Sequence, residues 1–219
     1  MTNPLLELVH ADAQPGALPD FAAIKPAHAE PALDSVLAES RERIAALLAS
    51  GARDWQGFAA ALEDIDDRIH HVWSPISHLF SVRSTGEWRA AYNACLPKLM
   101  DYNLEMSQSR PLFEAWSALR ESPEYAELDV ARRAVIDHTL RDFRLAGVAL
   151  DDAPRARFRE IAMRLSELGT KFEENMLDVT QAWGMGIDDV SRLAGMSENA
   201  IAAAREKAAA RGKEGWWLT

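Results

Sequence analysis

The stretch that decides the fold is DAPRARFREIAMRLSELGTKFEENMLDVTQAW, residues 152–183. Phe158, Ile161, Leu165, Leu168, Phe172, Met176 and Val179 recur along it by threes and fours, the spacing that lines up side chains on one face of an α-helix. About six turns of uninterrupted stripe predict a long helix packed centrally, in a groove between other helices. A coiled coil is the competing reading. The varied apolar residues and the many apolar faces elsewhere in the chain favour intramolecular packing. Gly184 and Gly186 end the periodicity.

The same pattern extends outward in both directions. Val130, Ala134, Ile136, Leu140 and Phe143 predict a helix over 129–146, stopped by Gly147. Residues 111–121 form a shorter helix, and Ser122-Pro123 reads as an N-cap followed by proline in a first turn. Thr85 and Glu87 open a helix reaching about Ser109, with a kink or break expected at Pro97. Asp54 caps a helix whose stripe is Phe58, Leu62, Ile65, Ile69 and Val72. Pro75 should break or bend it, because proline lacks an amide hydrogen and crowds the preceding turn. A helix from about His28 to Leu48 ends at Gly51. Residues 1–25 read as an extended N-terminal arm, 26–183 as a helical domain, and 184–219 as a linker with a C-terminal helix from Ser197 to about Ala210. Only Val148–Leu150 and Trp216–Leu218 hint at extended chain. The expected fold class is all-α, a multi-helix antiparallel array joined by short turns.

Composition narrows the functional classes. The chain has 219 residues, 48% of them hydrophobic, ample for one large core or two small ones. Its formal net charge of -10 repels phosphate backbones, so nucleic acid is not an expected partner. The nearest basic stretch, Arg155, Arg157, Arg159 and Arg164, is flanked by acids. Cys95 is the single cysteine, so no intrachain disulfide forms. No apolar run is long enough to span a membrane, and the N-terminus lacks the basic start and apolar centre of a secretory signal. A cytoplasmic setting is the expectation.

Common catalytic signatures are missing. The sequence contains no G-x-G-x-x-G, no Walker A loop, no G-x-S-x-G, no C-x-x-C and no H-E-x-x-H. The richest polar cluster is EDIDDRIHHVWSPISH, residues 63–78. There Asp66 and His70, and Asp67 and His71, are i,i+4 neighbours. A metal reading would recruit His70, His71 or His78. Adjacent histidines diverge by about 100° on a helix, and His71 and His78 would lie roughly 10 Å apart along it. Surface pairing and capping are the competing reading. Cys95 lies in an apolar context, so it reads as a buried structural thiol rather than a nucleophile. Trp55, Trp73, Trp88, Trp116 and Trp183 read as packing residues, with a peptide-contacting wall as the alternative. No catalytic, cofactor-binding or metal residue is assigned.

Ordered segments spread over nearly the whole chain carry a resemblance: MTNPLL (1–6), WSPISHLFSV (73–82), LRDFRLAGVAL (140–150), RFREIAMRLSELGTKFEENMLD (157–178) and LAGMSENAIAAA (193–204). By these the chain resembles the N-terminal part of the M3, or thimet oligopeptidase, family of zinc metallopeptidases. The resemblance implies a neurolysin/thimet-oligopeptidase-like helical region that forms one wall of a deep channel and restricts access to short peptides. It implies zinc on an H-E-x-x-H helix in a C-terminal catalytic half, which would be the partner of this region, and short peptides as substrates of the whole enzyme. Bacterial members work in the cytoplasm. No family ligand or general base falls on any residue here, so the expectation is part of a longer enzyme, inactive alone. The alternative is a stand-alone helical binding or adaptor protein. The oligomeric state is left open.

Overall fold

A computed structural model describes residues 3–7, 9 and 18–219. The protein is all-α, with 77% of the described residues helical. It divides into two compact units, residues 1–163 and 164–219.

The first unit contains α1 (Pro4–Glu7), α2 (Pro26–Ser50), α3 (Ala60–Arg83), α4 (Gly86–Ser107), α5 (Arg110–Glu121), α6 (Glu124–Glu127), α7 (Val130–Leu145) and the start of α8 (Asp152–Ala182). A π-helical turn, Trp55–Ala59, leads into α3. The start signals do what their chemistry predicts. Asp54 accepts the Gly57 amide at 2.7 Å, and Thr85 accepts that of Trp88 at 3.4 Å. Asp129 accepts from Arg132 N at 2.8 Å and opens α7. At the other end of α2, Gly51 takes φ 75°, the left-handed conformation that closes a helix and that glycine adopts without a Cβ clash.

The core of this unit is built from one face of each long helix. α2 contributes Leu33, Val36, Leu37 and Ile44, and α3 contributes Ile65, Ile69, Val72, Ile76 and Leu79. Trp88, Cys95 and Leu99 come from α4; Leu112, Trp116 and Leu119 from α5; Ile136, Leu140 and Phe143 from α7. Phe58 is fully buried and meets Trp116 edge-on at 5.3 Å between ring centres.

Several expectations are corrected. Pro75 does not interrupt α3, which continues to Arg83. Val72, Ile76 and Leu79 are all buried around it, and that packing outweighs one missing backbone hydrogen bond. At Pro97 no full break occurs, and α4 runs on through the proline. Ser122 does not cap a new helix: its hydroxyl donates to the Leu119 carbonyl at 2.8 Å and closes α5. Of the arm expected over 1–25, residues 1, 2, 8 and 10–17 lie outside the described residues; among the rest, Pro4–Glu7 form the helical turn α1. Leu5 is fully buried there, and Asn3 Nδ2 donates to the His28 carbonyl at 2.8 Å. Burial of one leucine and a long-range hydrogen bond tie the chain down where a polar, proline-rich composition suggested none. Val148–Leu150 is a turn rather than a strand, with Gly147 at φ 84°.

The largest correction concerns α8. It is a single helix over Asp152–Ala182, but none of its residues is buried. Leu165 is 64% exposed and Leu168 45%. Periodicity shows that a helix has an apolar face. It does not show that the same chain supplies the surface to cover it.

The second unit holds the rest of α8, β1 (Met185–Ile187), α9 (Glu198–Ala210) and β2 (Trp216–Leu218). The two strands pair antiparallel, Met185 with Leu218, Gly186 with Trp217 and Ile187 with Trp216. β1 lies where only a linker was expected, because three residues that include a glycine carry no alternating pattern. Ser197 caps α9 through the Ala200 amide at 3.3 Å. Ala204 and Ala208, small enough for close approach, are its buried residues.

Candidate functional site

The polar cluster on α3 does not form a metal centre. His71 Nδ1 lies 2.8 Å from the Asp67 carbonyl and 3.4 Å from its carboxylate. His78 packs against the Phe21 ring at 5.2 Å. His70, His71 and His78 are all exposed, and no group of three His, Cys, Asp or Glu among the described residues could hold a metal ion. A structural zinc site needs four ligands and a catalytic one three, converging on one point. The residues present do not fit zinc.

Cys95 is fully buried, and burial, with Glu30 nearby, pushes its thiol up to about 11. A thiol that stays protonated at neutral pH is a poor nucleophile. Of the tryptophans, Trp88 and Trp116 are core residues, Trp55 and Trp73 pack partly against the core, and Trp183 is exposed. The arginines of α8 are neutralised one by one. Arg159 pairs with Asp101, Arg157 with Glu160 at 2.8 Å and Arg164 with Glu167 at 2.5 Å. These pairs take up the charge of the arginine stretch that a phosphate backbone would need.

What the first unit does present is a cleft of about 500 Å³, within the range of ligand-binding pockets. α2 supplies Ile44, α3 Leu62 and Ile65, α4 Tyr102 and Met106, α5 Leu112 and Trp116, and α7 Thr139 and Phe143. Ile65, Tyr102, Leu112, Trp116 and Phe143 are buried and form its floor. Glu63, Asp66 and Asp142 are exposed and stand at its rim. The Asp66 carboxyl is pushed up from the usual carboxylate range, chiefly because surrounding protein displaces water from its charged form. Burial, with the Asp66 charge nearby, raises the Tyr102 phenol to about 12, so it stays a neutral hydroxyl. Sequence reading singled out Asp66 only for its pairing with His70. It missed the cleft because the lining comes from five helices, and no local spacing links Ile44 to Tyr102 or Phe143.

These features define a helical domain with an apolar cleft. The family described as Neurolysin/Thimet oligopeptidase, N-terminal domain, matches residues 33–155, more than half of the chain, and the chain belongs to that family. Among curated proteins it is 37% identical to oligopeptidase A of Haemophilus influenzae over 219 residues, 100% of this chain and 31% of that protein. It is 41% identical to oligopeptidase A of Salmonella typhimurium over 220 residues, again 100% of this chain and 31% of the relative. The Escherichia coli oligopeptidase A matches at 40% with the same coverage. The chain therefore spans 31% of the length of these relatives.

Proposed function

We propose that this chain is the N-terminal, substrate-restricting wall of a zinc-dependent oligopeptidase that hydrolyses short peptides. The observation that carries this reading is coverage. All 219 residues align with oligopeptidase A relatives, yet they account for 31% of each. The remaining two-thirds of such an enzyme is the partner this reading assigns. There zinc would polarise the peptide carbonyl and activate water. The described residues of this chain offer that ion no site, so in this reading their role is to bound the channel and exclude folded substrates.

The exposed face of α8 supports the reading. Ile161, Leu165, Leu168, Phe172, Met176 and Val179 are each between 45% and 69% exposed along one helix. An apolar stripe of that length normally marks a surface that another element covers. In this reading the catalytic remainder covers it. A cytoplasmic setting in a bacterium accompanies the proposal, and no helix among the described residues is long and apolar enough to cross a membrane.

The test is a quenched-fluorescent peptide assay on the rigorously purified chain, with and without added zinc. No turnover is expected, because binding without a reacting centre leaves the barrier unchanged. Co-expression with the part of the Escherichia coli enzyme that follows the matched region should restore chelator-sensitive turnover. Chelator-sensitive turnover that copurifies with the chain alone would overturn the assignment.

A further inference from the structure

The cleft of the first unit has a composition that the peptidase reading does not use. Its floor is apolar and aromatic, and no Lys, Arg or His lines it among the described residues. Two carboxylates of α3, Glu63 and Asp66, lie one turn apart on the same side and both border it. Glu63 makes no hydrogen bond or ion pair among the described residues. Asp66 feels His70 and Asp67 of its own helix, and Tyr102 faces it from α4. The third rim acid, Asp142, is already paired with Arg141 at 2.8 Å. Arg41, which lies over the Tyr102 ring at 5.2 Å, is engaged with Glu105 at 2.8 Å. Beside the floor, the indole N–H of Trp116 is buried without an acceptor. That donor calls for an acceptor, which an ammonium ion does not offer, so it takes no part in recognising such a cation.

We propose that this cleft binds a small amphipathic ammonium ion, its apolar body on the Trp116, Leu112 and Phe143 floor and its charge at Glu63 and Asp66. The match is one of shape and sign. Apolar walls remove hydrocarbon from water, and a carboxylate pair that no lysine or arginine of the cleft lining engages gains from a cation brought by a ligand. A cation near aromatic faces gains further. An anion of the same shape would meet two like charges at the rim. The net charge of -10 adds a long-range bias toward cations. This inference stands on the cleft alone and survives whether or not the peptidase reading does.

The probe is dansylcadaverine, which carries one primary ammonium on an apolar fluorophore and brightens in apolar surroundings. Titrated against the 219-residue chain, it should bind saturably at one site. Its N-acetylated form, identical but for the charge, should bind about tenfold more weakly, as should dansylcadaverine itself to a Glu63→Gln/Asp66→Asn variant. The acetylated probe tests the charge on the unaltered protein, so the result does not depend on the variant folding. A Leu168→Ser/Phe172→Ser variant, which alters the exposed α8 stripe and not the cleft, should keep the saturable, charge-dependent binding and lose only the weaker uptake of probe by the stripe. Displacement by 4-phenylbutylamine alone would identify free amines as the ligand source. Displacement also by phenylalanyl-leucine amide would extend it to peptide N-termini. Equal affinity for the acetylated probe, or loss of the saturable binding in the α8 variant, would overturn the proposal.

Discussion

At the scale of single residues, position in the fold separates leucines that look alike in sequence. Leu33 and Leu165 both sit on helical stripes, but Leu33 is fully buried whereas Leu165 is 64% exposed. Leu33→Ala removes buried methyl groups and leaves a cavity, and should cost about 2–5 kcal/mol. Leu165→Ala removes little that is shielded from water and replaces one strong helix former with a stronger one, so it should change stability by under about 0.5 kcal/mol. Urea unfolding of the two variants checks both values, and a loss above 2 kcal/mol at Leu165 would mean that the face is covered in solution. Asp66 carries a pH signature. Its carboxyl is raised above the usual 3.8, mainly by loss of water around the charged form. The folded chain therefore holds this proton more tightly than the unfolded chain does. The stability it contributes is complete below the ordinary carboxylate range and is lost as pH rises through the raised native value. Asp66→Asn has no proton to lose. Its stability should decline less than that of the unaltered chain over the same window, by a modest amount because the side chain is partly in water. Thermal melts at several pH values from acid to neutral would show this, and parallel curves would refute it.

At the scale of elements, α3 and α8 show opposite balances between local preference and packing. α3 carries a proline that the isolated sequence would disfavour, yet buried side chains on both sides of Pro75 hold it as one helix. α8 has the cleaner periodicity, yet buries nothing. Its integrity rests on backbone hydrogen bonds and on side-chain pairs along its own length, such as Arg157 with Glu160, and Arg159 ties it to Asp101 of α4. The β1–β2 pair depends on a sterically tight return. Gly215 sits at φ 81°, and a Cβ there would come within 2.3 Å of the Ile187 carbonyl oxygen. Gly195, at φ 91°, has nothing within 4 Å of the same position. Gly195→Ala should thus cost only the left-handed backbone penalty, about 1–2 kcal/mol. Gly215→Ala adds a backbone clash and should cost more, about 3 kcal/mol or above, by unpairing the strands. Trp216 and Trp217 follow that residue, and Lys213 Nζ lies 3.7 Å from the Trp217 ring centre. Tryptophan fluorescence during thermal unfolding reports the difference, and equal melting of the two variants would show that the strand pair contributes nothing.

At the scale of the whole molecule, the apolar side chains of α8 set how the chain behaves in solution. Six large hydrophobic residues more than a third exposed on one helix are a surface that water disfavours. The isolated chain should bind an apolar dye such as anilinonaphthalene sulfonate and self-associate with rising concentration. Leu168→Ser/Phe172→Ser should reduce both by severalfold without changing the melting of the buried core. Analytical ultracentrifugation with dye titration checks this. A monodisperse monomer that ignores the dye would mean that the stripe is already covered. The scale of the relatives gives the same face a second meaning, because a chain that aligns with 31% of each oligopeptidase A leaves ample polypeptide to cover it.

The sequence by itself determined the elements and much of their punctuation. Helical spacing, the caps at Asp54, Thr85 and Ser197, and the glycine stops at Gly51 and Gly147 are local, since each involves residues within a few positions of one another. The family was legible for a different reason: ordered similarity runs along the whole chain and needs no geometry. Tertiary structure alone decided the rest. Whether α8 is buried, whether Pro75 breaks its helix, and whether Leu5 is anchored depend on which surfaces are present to pack, and periodicity does not carry that information. The cleft was decided there too. Ile44, Asp66, Tyr102, Trp116 and Phe143 are far apart in sequence and meet only when α2, α3, α4, α5 and α7 close around one space. Burial and electrostatics act through distance in space, and for these residues only the packing of the helices sets that distance.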